Sequence, residues 1–479
     1  MAEARDIGTG VQSDMCRVTI ALHPGVSLQQ LDEATIVVQT GDDAVTLASL
    51  SGELVVALLS LPTGASLDQV EDDVLDAGDA AALARWYLTL TTLEGVAAVR
   101  YSVRDGGRDV VTFRPAMRAA QRTPRYLGGN VVLSRFAQLR RDGDVMILDS
   151  PLARGRVEIL HPHVSALIGA MNTAATAASI GERLQISDPG WIEPVLTVLV
   201  AAGVVLPVDG DGATAEDTDD ARRWEPADLA LHSRSRTSRA DLAVGGTYRH
   251  QGTMAAPQRR KDPVSATRIV LQQPDMDALR RSDENFTNVL ERRLSHRRYS
   301  GPPLGVGQLS EFLFRSARTK AGSQFTRITR VYPSGGACYP LEIYVVVAEC
   351  RGLEPGVYHY DAGEHALEYI DGTVNDASEL FSTSSVPLEA GSPPQVMLVF
   401  TARFGRVNWK YEGNAYALVL AEVGALYQTM YLVATAMHLA PCAIGGGDAV
   451  AFAKIIGTDP LEESSVGGFM LGSLPAVTR

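Results

Sequence analysis

The chain contains few cysteines, and their spacing fits neither a metal site nor a redox pair. Its 479 residues include four cysteines and no Cys-x-x-Cys motif. A disulfide framework or a zinc site is therefore not expected, and a reducing cytoplasm fits this composition. The first residues, Met1–Asp14, are polar and include acids, which is unlike a signal peptide.

The chain also lacks an excess of positive charge. It has 43 Lys and Arg residues against 56 Asp and Glu residues, for a formal net charge of −13. Binding to nucleic acid or to an anionic membrane needs a basic face, so both classes of function are disfavoured. A hydrophobic content of 46% with 21% charged residues is typical of a soluble globular protein, and the length predicts two to four domains.

No apolar run is long enough, without interruption, to predict a membrane span. The most apolar stretch, 415–444, is interrupted by Glu422, Gln428 and His438. An unpaired carboxylate in lipid costs roughly 2.5–3.5 kcal/mol even on the lenient insertion scale. The pattern instead predicts a long helix over Asn408–Leu439, buried in a protein core or a dimer interface.

The first 210 residues have the pattern of a degenerate internal repeat. In each copy, short strands around an Asp/Gly turn are followed by helices and a closing strand or hairpin. This predicts two winged-helix-like modules, 1–115 and 116–210. The segment where such a module would contact DNA, Asn172–Asp188, holds a single basic residue, Arg183. We therefore expect peptide binding or a structural role for these modules.

The next segment, 211–275, is expected to connect these modules to a C-terminal domain. The acidic run Asp209–Asp220 predicts a solvated linker. The irregular stretch Trp224–Asp275 predicts an ordered crossover that covers another part of the protein. In 276–479, helices (the first over Met276–Arg293) and strands alternate without strict βαβ spacing, which predicts an α+β domain with a mostly antiparallel sheet.

Two short motifs in the C-terminal half carry the chemistry. The cluster Arg293-Leu294-Ser295-His296-Arg297-Arg298-Tyr299-Ser300 offers guanidiniums and a hydroxyl, which suit a phosphate group. The pair Lys410-Tyr411 places a titratable amine beside a phenol, just before the apolar helix. Together they indicate a phosphorylated redox cofactor served by proton-transferring side chains. A solvated basic face and a chance dipeptide remain the alternatives.

From about Trp224 to its end, the chain resembles the SagB/ThcOx dehydrogenases, a branch of the FMN-dependent nitroreductase fold. Five stretches in register carry the resemblance: RRLSHRRYSGPPL at 292–304, YPSGGACYPLEIYVVV at 332–347, LEPGVYHYD at 353–361, NWKYEGNAYALVLAEVGALYQTMYLVATAMHLAPCAIGG at 408–446 and GFMLG at 468–472. It implies an FMN-dependent azoline dehydrogenase that acts on ribosomally made peptides, as a homodimer with FMN at the subunit interface.

The resemblance also assigns roles to residues of this chain. Glycines beside a flat cofactor let the backbone approach it closely, although an ordinary turn or a helix C-cap would also use them. The resemblance implies a phosphate site made of Arg293, Ser295 and Arg297. It implies a loop beside the flavin ring (Pro333, Ser334, Gly335 and Gly336) and a loop near flavin N5 (Gly445, Gly446 and Gly447). Lys410 and Tyr411 are implied as the catalytic pair.

Several positions leave questions open. Lys410 can act as a base only if its pKa falls towards neutrality, for which Trp409 and Tyr411 are expected to supply burial. Glu422 could pair with an arginine or take part in catalysis, and the role of Gln428 is also open. The chain has Ala425 and Thr429 where the family often has His and Asn, and Cys338 is expected to be a buried inert thiol. Arg479 is an uncertain addition to the phosphate site.

The expected activity is oxidation of thiazolines or (methyl)oxazolines to thiazoles or oxazoles in a precursor peptide. The expected partners are that peptide and a cyclodehydratase, and no metal is implied. Oxygen is the expected oxidant of the reduced flavin, because no Gly-x-Gly-x-x-Gly fingerprint is present. The alternatives are an NAD(P)H-dependent nitro or quinone reductase and a non-catalytic peptide-binding scaffold.

Overall fold

The computed structural model describes residues 16–41, 43–78, 80–105, 107–116, 126–236, 241–299, 301–320, 329–370, 372–373, 375, 380 and 394–474. Contacts divide the chain into two compact units, Met1–Ala243 and Val244–Arg479. The boundaries expected after residues 115, 210 and 275 stay predictions.

The first unit is built from short strands and helices. Its strands are β1 (Val18–Leu22), β2 (Val26–Asp32), β3 (Thr35–Thr40), β4 (Asp43–Leu47), β5 (Ala65–Ser66), β6 (Val99–Asp105), β7 (Arg108–Pro115), β8 (Val131–Leu133), β9 (Gln138–Asp142), β10 (Val145–Asp149), β11 (Gly155–Ile159) and β12 (Val205–Pro207). Its helices are α1 (Gly52–Ser60), α2 (Leu67–Ala77), α3 (Ala80–Gly95), α4 (Pro162–Ala170), α5 (Ala177–Arg183), α6 (Ile192–Ala202), α7 (Asp219–Arg222) and α8 (Pro226–Arg236).

One antiparallel sheet runs through both halves of this unit. Its strand order is β5-β1-β6-β7-β11-β10-β9. Strand β7 pairs with β11, with Phe113 opposite Val157, and both side chains are fully buried. The two expected modules therefore share one sheet and one apolar core, which includes Trp86 and Trp191. Their winged-helix character stays a prediction.

The acidic run after this sheet is not a solvated linker throughout. Glu216 is buried, and its carboxylate accepts hydrogen bonds from Ser134 Oγ at 2.6 Å and from the Arg135 backbone N–H at 3.0 Å. The prediction is wrong at this position because a single carboxylate finds two donors on the folded unit. The fixed partners hold this part of the chain against the first unit.

The second unit is a sheet with helices on both faces. Its strands are β13 (Arg268–Val270), β14 (Leu341–Val347), β15 (Gly356–Asp361), β16 (Ala366–Ile370), β17 (Val396–Arg403), β18 (Leu439–Ile444) and β19 (Glu463–Ser473). Its helices are α9 (Met276–Ser282), α10 (Phe286–Arg292), α11 (Val306–Ala317), α12 (Gly405–Asn408), α13 (Ala415–Ala436) and α14 (Ala449–Ile456).

The sheet of the second unit is antiparallel, in the order β13-β16-β15-β14-β17-β19-β18. Side chains alternate between its faces along each strand. On β14, Ile343 and Val345 belong to the core that includes α11 and α13, whereas Tyr344 and Val346 belong to the core that includes Phe452 of α14. The expected α+β fold with a mostly antiparallel sheet is confirmed.

Two helix predictions need correction. The helix expected over Met276–Arg293 is two short helices, because the Asn285 side chain accepts a hydrogen bond from Thr287 N (2.9 Å) and starts a new helix. The long helix begins at Ala415 instead of Asn408, since Gly413 adopts a positive φ of 77° ahead of it. Lys410 and Tyr411 therefore lie on the connection that precedes α13.

Both ends of α14 have local causes. Asp448 caps α14 by accepting hydrogen bonds from the backbone N–H groups of Val450 (3.1 Å) and Ala451 (2.9 Å), and Gly457 ends the helix with a positive φ of 71°. Among the described residues, α13 alone has the length and hydropathy of a membrane span. A single helix of this kind is weak evidence for a membrane protein, because a core helix can have the same composition.

Candidate active site

Lys410 and Tyr411 meet the Pro333–Gly336 loop at Gly336. Lys410 Nζ donates a hydrogen bond to the Gly336 carbonyl oxygen at 3.3 Å. A Cβ atom at Gly336 would lie 2.7 Å from Lys410 Nζ and even closer to Tyr411 Oη, and φ there is 58°. Only glycine fits this position, so the amine and the phenol oxygen flank the same backbone atom.

The segment after residue 244 covers this pair. Gly245 and Glu412 exchange backbone hydrogen bonds of 3.0 and 2.9 Å, and Tyr248 N donates to the Lys410 carbonyl at 3.1 Å. The Lys410 ammonium lies 5.7 Å from the Tyr248 ring centroid and 5.2 Å from that of Tyr411. The crossover predicted to cover another part of the protein therefore covers the Lys410 connection.

The charge state of Lys410 differs from the expected one. Desolvation lowers the pKa of Lys410, but the hydrogen bond with Tyr248 and the phenol oxygens of Tyr411 and Tyr248 outweigh it, so the pKa is raised. The condition for Lys410 to act as a base, a pKa that falls towards neutrality, is not met, because Tyr248 and Tyr411 bring phenol oxygens to an amine that stays partly exposed. Lys410 is therefore an ammonium in this structure.

The Pro333–Gly336 loop is anchored to α13 by a buried carboxyl group. Ser334 Oγ donates to Glu422 Oε2 and accepts from Tyr339 N at 2.8 Å. Glu422 is 4% exposed, and its Oε1 has no hydrogen-bond partner among the residues that the structure describes. Burial raises the pKa of Glu422 to about 7, against the opposing effects of Ser334, Arg330 and Arg406. The apolar run around Glu422 predicted its burial but not its partner.

The arginine cluster follows α10 and runs beside β18. The His296 backbone N–H donates to the Pro441 carbonyl at 2.8 Å. Ser295 Oγ lies 2.7 Å from Tyr431 Oη, and the Arg293 guanidinium lies 5.3 Å from the Tyr431 ring centroid. Within the described ranges, neither Arg293 nor Arg297 has a carboxylate partner. Two guanidiniums and a hydroxyl therefore remain available for an anion.

The glycine loop at 445–447 follows β18, not the long helix. The helix C-cap alternative is therefore wrong, because α13 ends at Met437, ahead of that strand. A Cβ atom at Gly445 or Gly447 would meet nothing within 4 Å. Packing against the described residues thus leaves the space beside Gly445 and Gly447 open to a ligand, and Gly446 lies between them.

Helix α13 separates two groups of site residues. Leu418 lies against Gly335, and Glu422 holds Ser334 one turn later, whereas Tyr431, which contacts Ser295, is thirteen residues after Leu418. At 1.5 Å per residue, Leu418 and Tyr431 are about 20 Å apart along the helix axis. The chain brings Lys410 and Tyr411 to the 333–336 loop, and the arginine cluster to β18, but it does not bring these two groups together.

The remaining positions contribute less to the site. Thr429 Oγ1 donates to the Ala425 carbonyl at 2.8 Å, so this hydroxyl is used within the helix, and Gln428 is exposed. Cys338 is buried, and burial raises the pKa of its thiol, as expected for an inert cysteine. Arg479 lies outside the described residues. No metal-binding group of His, Cys, Asp or Glu occurs in the described ranges.

Comparison with known proteins identifies the class. The nitroreductase family matches residues 290–473, and cyanobactin oxidase ThcOx matches residues 131–241. The chain is 32% identical over 176 residues to MJ1384 of Methanocaldococcus jannaschii, a protein assigned as a nitroreductase, with 36% of this chain and 83% of that protein covered. The chain therefore belongs to the nitroreductase family.

Within that family the chain is of the SagB/ThcOx type, which confirms the resemblance seen in the five stretches. It is 30% identical over 147 residues to the trifolitoxin-processing protein TfxB of Rhizobium leguminosarum bv. trifolii, and 35% identical over 120 residues to the microcin B17-processing protein McbC of Escherichia coli. These matches cover 30% and 23% of this chain, but only 39% and 42% of the two relatives.

Similar solved structures include a protein of Ralstonia eutropha JMP134 assigned as a nitroreductase, with 22% identity, a TM-score of 0.36, and 49% of this chain and 100% of that chain covered. The E. coli microcin synthetase McbBCD complex with truncated pro-MccB17 aligns with 19% identity, a TM-score of 0.34, and 49% and 89% coverage. Scores at this level carry no argument about activity.

Proposed function

We propose that this protein is an FMN-dependent oxidoreductase that converts thiazoline or (methyl)oxazoline rings of a ribosomally synthesised precursor peptide to thiazoles or oxazoles. The observation that carries the proposal is the convergence of Lys410 Nζ and Tyr411 Oη at Gly336. TfxB and McbC are named for processing trifolitoxin and microcin B17, which supports a peptide substrate. A cyclodehydratase in the same cytoplasm would supply the azoline rings.

The residues present fit a bound FMN. Arg293 and Arg297 have no carboxylate partner in the described ranges and would hold the phosphate with Ser295. The open loop at Gly445 and Gly447 leaves room for the flavin ring, and Gly336 lets the backbone approach Lys410 and Tyr411 closely. When bound, FMN supplies the redox chemistry by accepting the hydride that leaves the ring Cβ.

A homodimer would complete this site. Within one chain, the arginine cluster and the Pro333–Gly336 loop contact α13 at positions about 20 Å apart. In a homodimer, the arginine cluster of one copy would therefore hold the phosphate of an FMN whose ring lies at the loop of the other copy. Apolar side chains on the outside of the second unit support such an interface. These side chains are Phe286 (66% exposed), Leu290 (44%), Leu294 (60%) and Leu420 (38%).

Proton transfer falls to the pair beside Gly336. The ring Cα–H is acidified by the adjacent C=N bond and carbonyl group, so a base can remove the proton as the Cβ–H bond breaks. Because Lys410 is an ammonium, we assign the base to the Tyr411 oxygen and the stabilisation of its negative charge to Lys410. The aromatic product ring makes the step favourable.

An NAD(P)H-dependent nitro or quinone reductase is the second candidate, because MJ1384 is matched over 83% of its length. One experiment separates the two. The chain, FMN and an azoline-bearing peptide are incubated in air, and mass spectrometry is expected to show a loss of about two mass units per ring, the mass of one proton and one hydride. Reduction of a nitroaromatic with NADPH, without ring oxidation, would contradict the proposal. A colourless preparation that takes up no FMN would favour a scaffold.

A further inference from the structure

Glu422 is a buried titratable group that contacts the flavin loop, Pro333–Gly336, and that the proposed reaction does not use. Its Oε2 accepts from Ser334 Oγ, and its Oε1 has no partner in the described ranges. The side chain sits one helical turn after Leu418, which contacts Gly335 of the same loop. Glu422 therefore contacts the loop through Ser334.

The cations that face Glu422, Arg330 and Arg406, form their hydrogen bonds with other groups. Arg330 donates to Tyr332 Oη at 3.2 Å and lies 3.8 Å from Glu342, while Arg406 donates to the carbonyls of Cys338 and Gln258. The other titratable groups that face Glu422 are Tyr332 and the Cys338 thiol, both shifted upward in pKa by burial. No cation among the described residues contacts the carboxyl group, so burial dominates and raises the pKa of Glu422 to about 7.

The two protonation states of Glu422 require different orientations of the Ser334 hydroxyl. A carboxylate can only accept, so Ser334 must donate its single proton to Glu422. A protonated Glu422 can donate to Ser334 Oγ, which also accepts from Tyr339 N. Both lone pairs of Ser334 are then used, and its proton is free to point away from the helix.

We propose that Glu422 is a positioning residue whose proton decides whether the Ser334 hydroxyl donates into the protein or towards a ligand on the Pro333–Gly336 loop. The inference rests on the proposed function, because it takes the flavin as that ligand. Bound flavin gains one hydrogen bond when Glu422 is protonated. FMN affinity therefore falls about threefold to tenfold as pH rises through neutrality, the effect of one net hydrogen bond.

The test measures FMN affinity of the full chain by fluorescence quenching from about pH 5 to about pH 9, where Glu422 changes protonation. We expect a pH-dependent affinity in the wild type and a pH-independent one in Glu422→Gln, whose amide donates to Ser334 at every pH. Ser334→Ala should bind weakly at every pH. The exposed Glu349→Gln is the matched control and should follow the wild type.

Infrared spectroscopy of the FMN-free chain provides the second readout. The carbonyl band of a protonated carboxylic acid should titrate near neutrality, vanish in Glu422→Gln and persist in Ser334→Ala and Glu349→Gln. An unchanged pH dependence of FMN affinity in Glu422→Gln, or the absence of this band in the wild type, overturns the inference and leaves the proposed function standing. If the wild type takes up no FMN at any pH although the band is present, the proposed function is contradicted instead. The ligand-facing role of Ser334 is then contradicted as well, because it takes the flavin as the ligand.

Discussion

Two glutamates on opposite faces of the C-terminal sheet, Glu342 and Glu422, are buried to nearly the same extent, yet their pKa values are shifted in opposite directions. Glu342 on β14 is 5% exposed and lies 3.5 Å from Arg403, 3.8 Å from Arg330 and 3.4 Å from His359. Glu422 on α13 is 4% exposed and has a hydroxyl group as its partner. Burial alone therefore does not decide the state of a carboxyl group in this protein.

Contact with cations decides the direction in which the pKa of each carboxyl group is shifted. Desolvation would raise the pKa of Glu342, but the hydrogen bond with His359 and the charges of Arg330 and Arg403 lower it to about 2. Burial raises the pKa of Glu422 to about 7, since no cation in the part of the chain that the structure describes contacts it. We infer that the Glu342 face is built for stability, whereas the Glu422 face, with Lys410 and Tyr411, is built for a ligand. Substitutions on the two faces should therefore affect different measurements.

The largest effect is expected for Lys410→Ala and Tyr411→Phe. Each should slow ring oxidation by about 10²–10⁴-fold, the range for loss of a proton-transfer group. Single-turnover mass spectrometry measures the rate, while the flavin spectrum and the melting temperature should stay unchanged. Full turnover with bound flavin in both variants would contradict the assignment, and loss of flavin would make the pair structural.

On the opposite face, Glu342→Gln should destabilise the fold by about 3–5 kcal/mol, since it leaves Arg330 and Arg403 buried without their carboxylate. Chemical denaturation of the full chain measures this loss. The control is Glu349→Gln, an exposed carboxylate on the same unit. If Glu342→Gln and its control unfold at the same denaturant concentration, the two faces do not differ as described.

The stability effect of Glu422 should depend on pH. Its folded-state pKa of about 7 lies above the ordinary value of 4.5, so its stabilising contribution is complete below about pH 4.5 and is lost as pH rises through about 7. Relative to Glu422→Gln, the wild type should lose about 3 kcal/mol over this range. Denaturation of both proteins at several pH values checks the sign. A difference that stays constant with pH would show that Glu422 does not titrate there.

The smallest effect is expected for the phosphate site. Arg293→Ala and Arg297→Ala should each weaken FMN binding by about 1.5–3 kcal/mol, the contribution of one charge-assisted hydrogen bond. Equilibrium dialysis measures the affinity, with the exposed Arg281→Ala of α9 as the control. Wild-type affinity in both variants would place the phosphate elsewhere.

Helices and strands whose causes lie in neighbouring residues can be predicted from the sequence. The buried strand β14 coincides with an apolar run and the helix α14 starts at the capping residue Asp448, so the causes of both lie within a few residues. The partner of Glu422 is Ser334, 88 positions away, and the partner of Glu216 is Ser134, 82 positions away. No local pattern encodes such contacts. Lys410 was misplaced onto the helix because the positive φ of Gly413 is not visible in an apolar periodicity.

The segment that precedes the nitroreductase match has a consequence for protein engineering. The match begins at residue 290, but the compact unit begins at Val244. The intervening residues supply strand β13 at the sheet edge, where Arg268 pairs with Glu368, and the Tyr248 ring beside Lys410. A gene fragment cut at the homology boundary would thus encode a bare sheet edge and leave Lys410 uncovered. Domain exchange with other nitroreductases should be designed at residue 244, because the compact unit begins before the matched region.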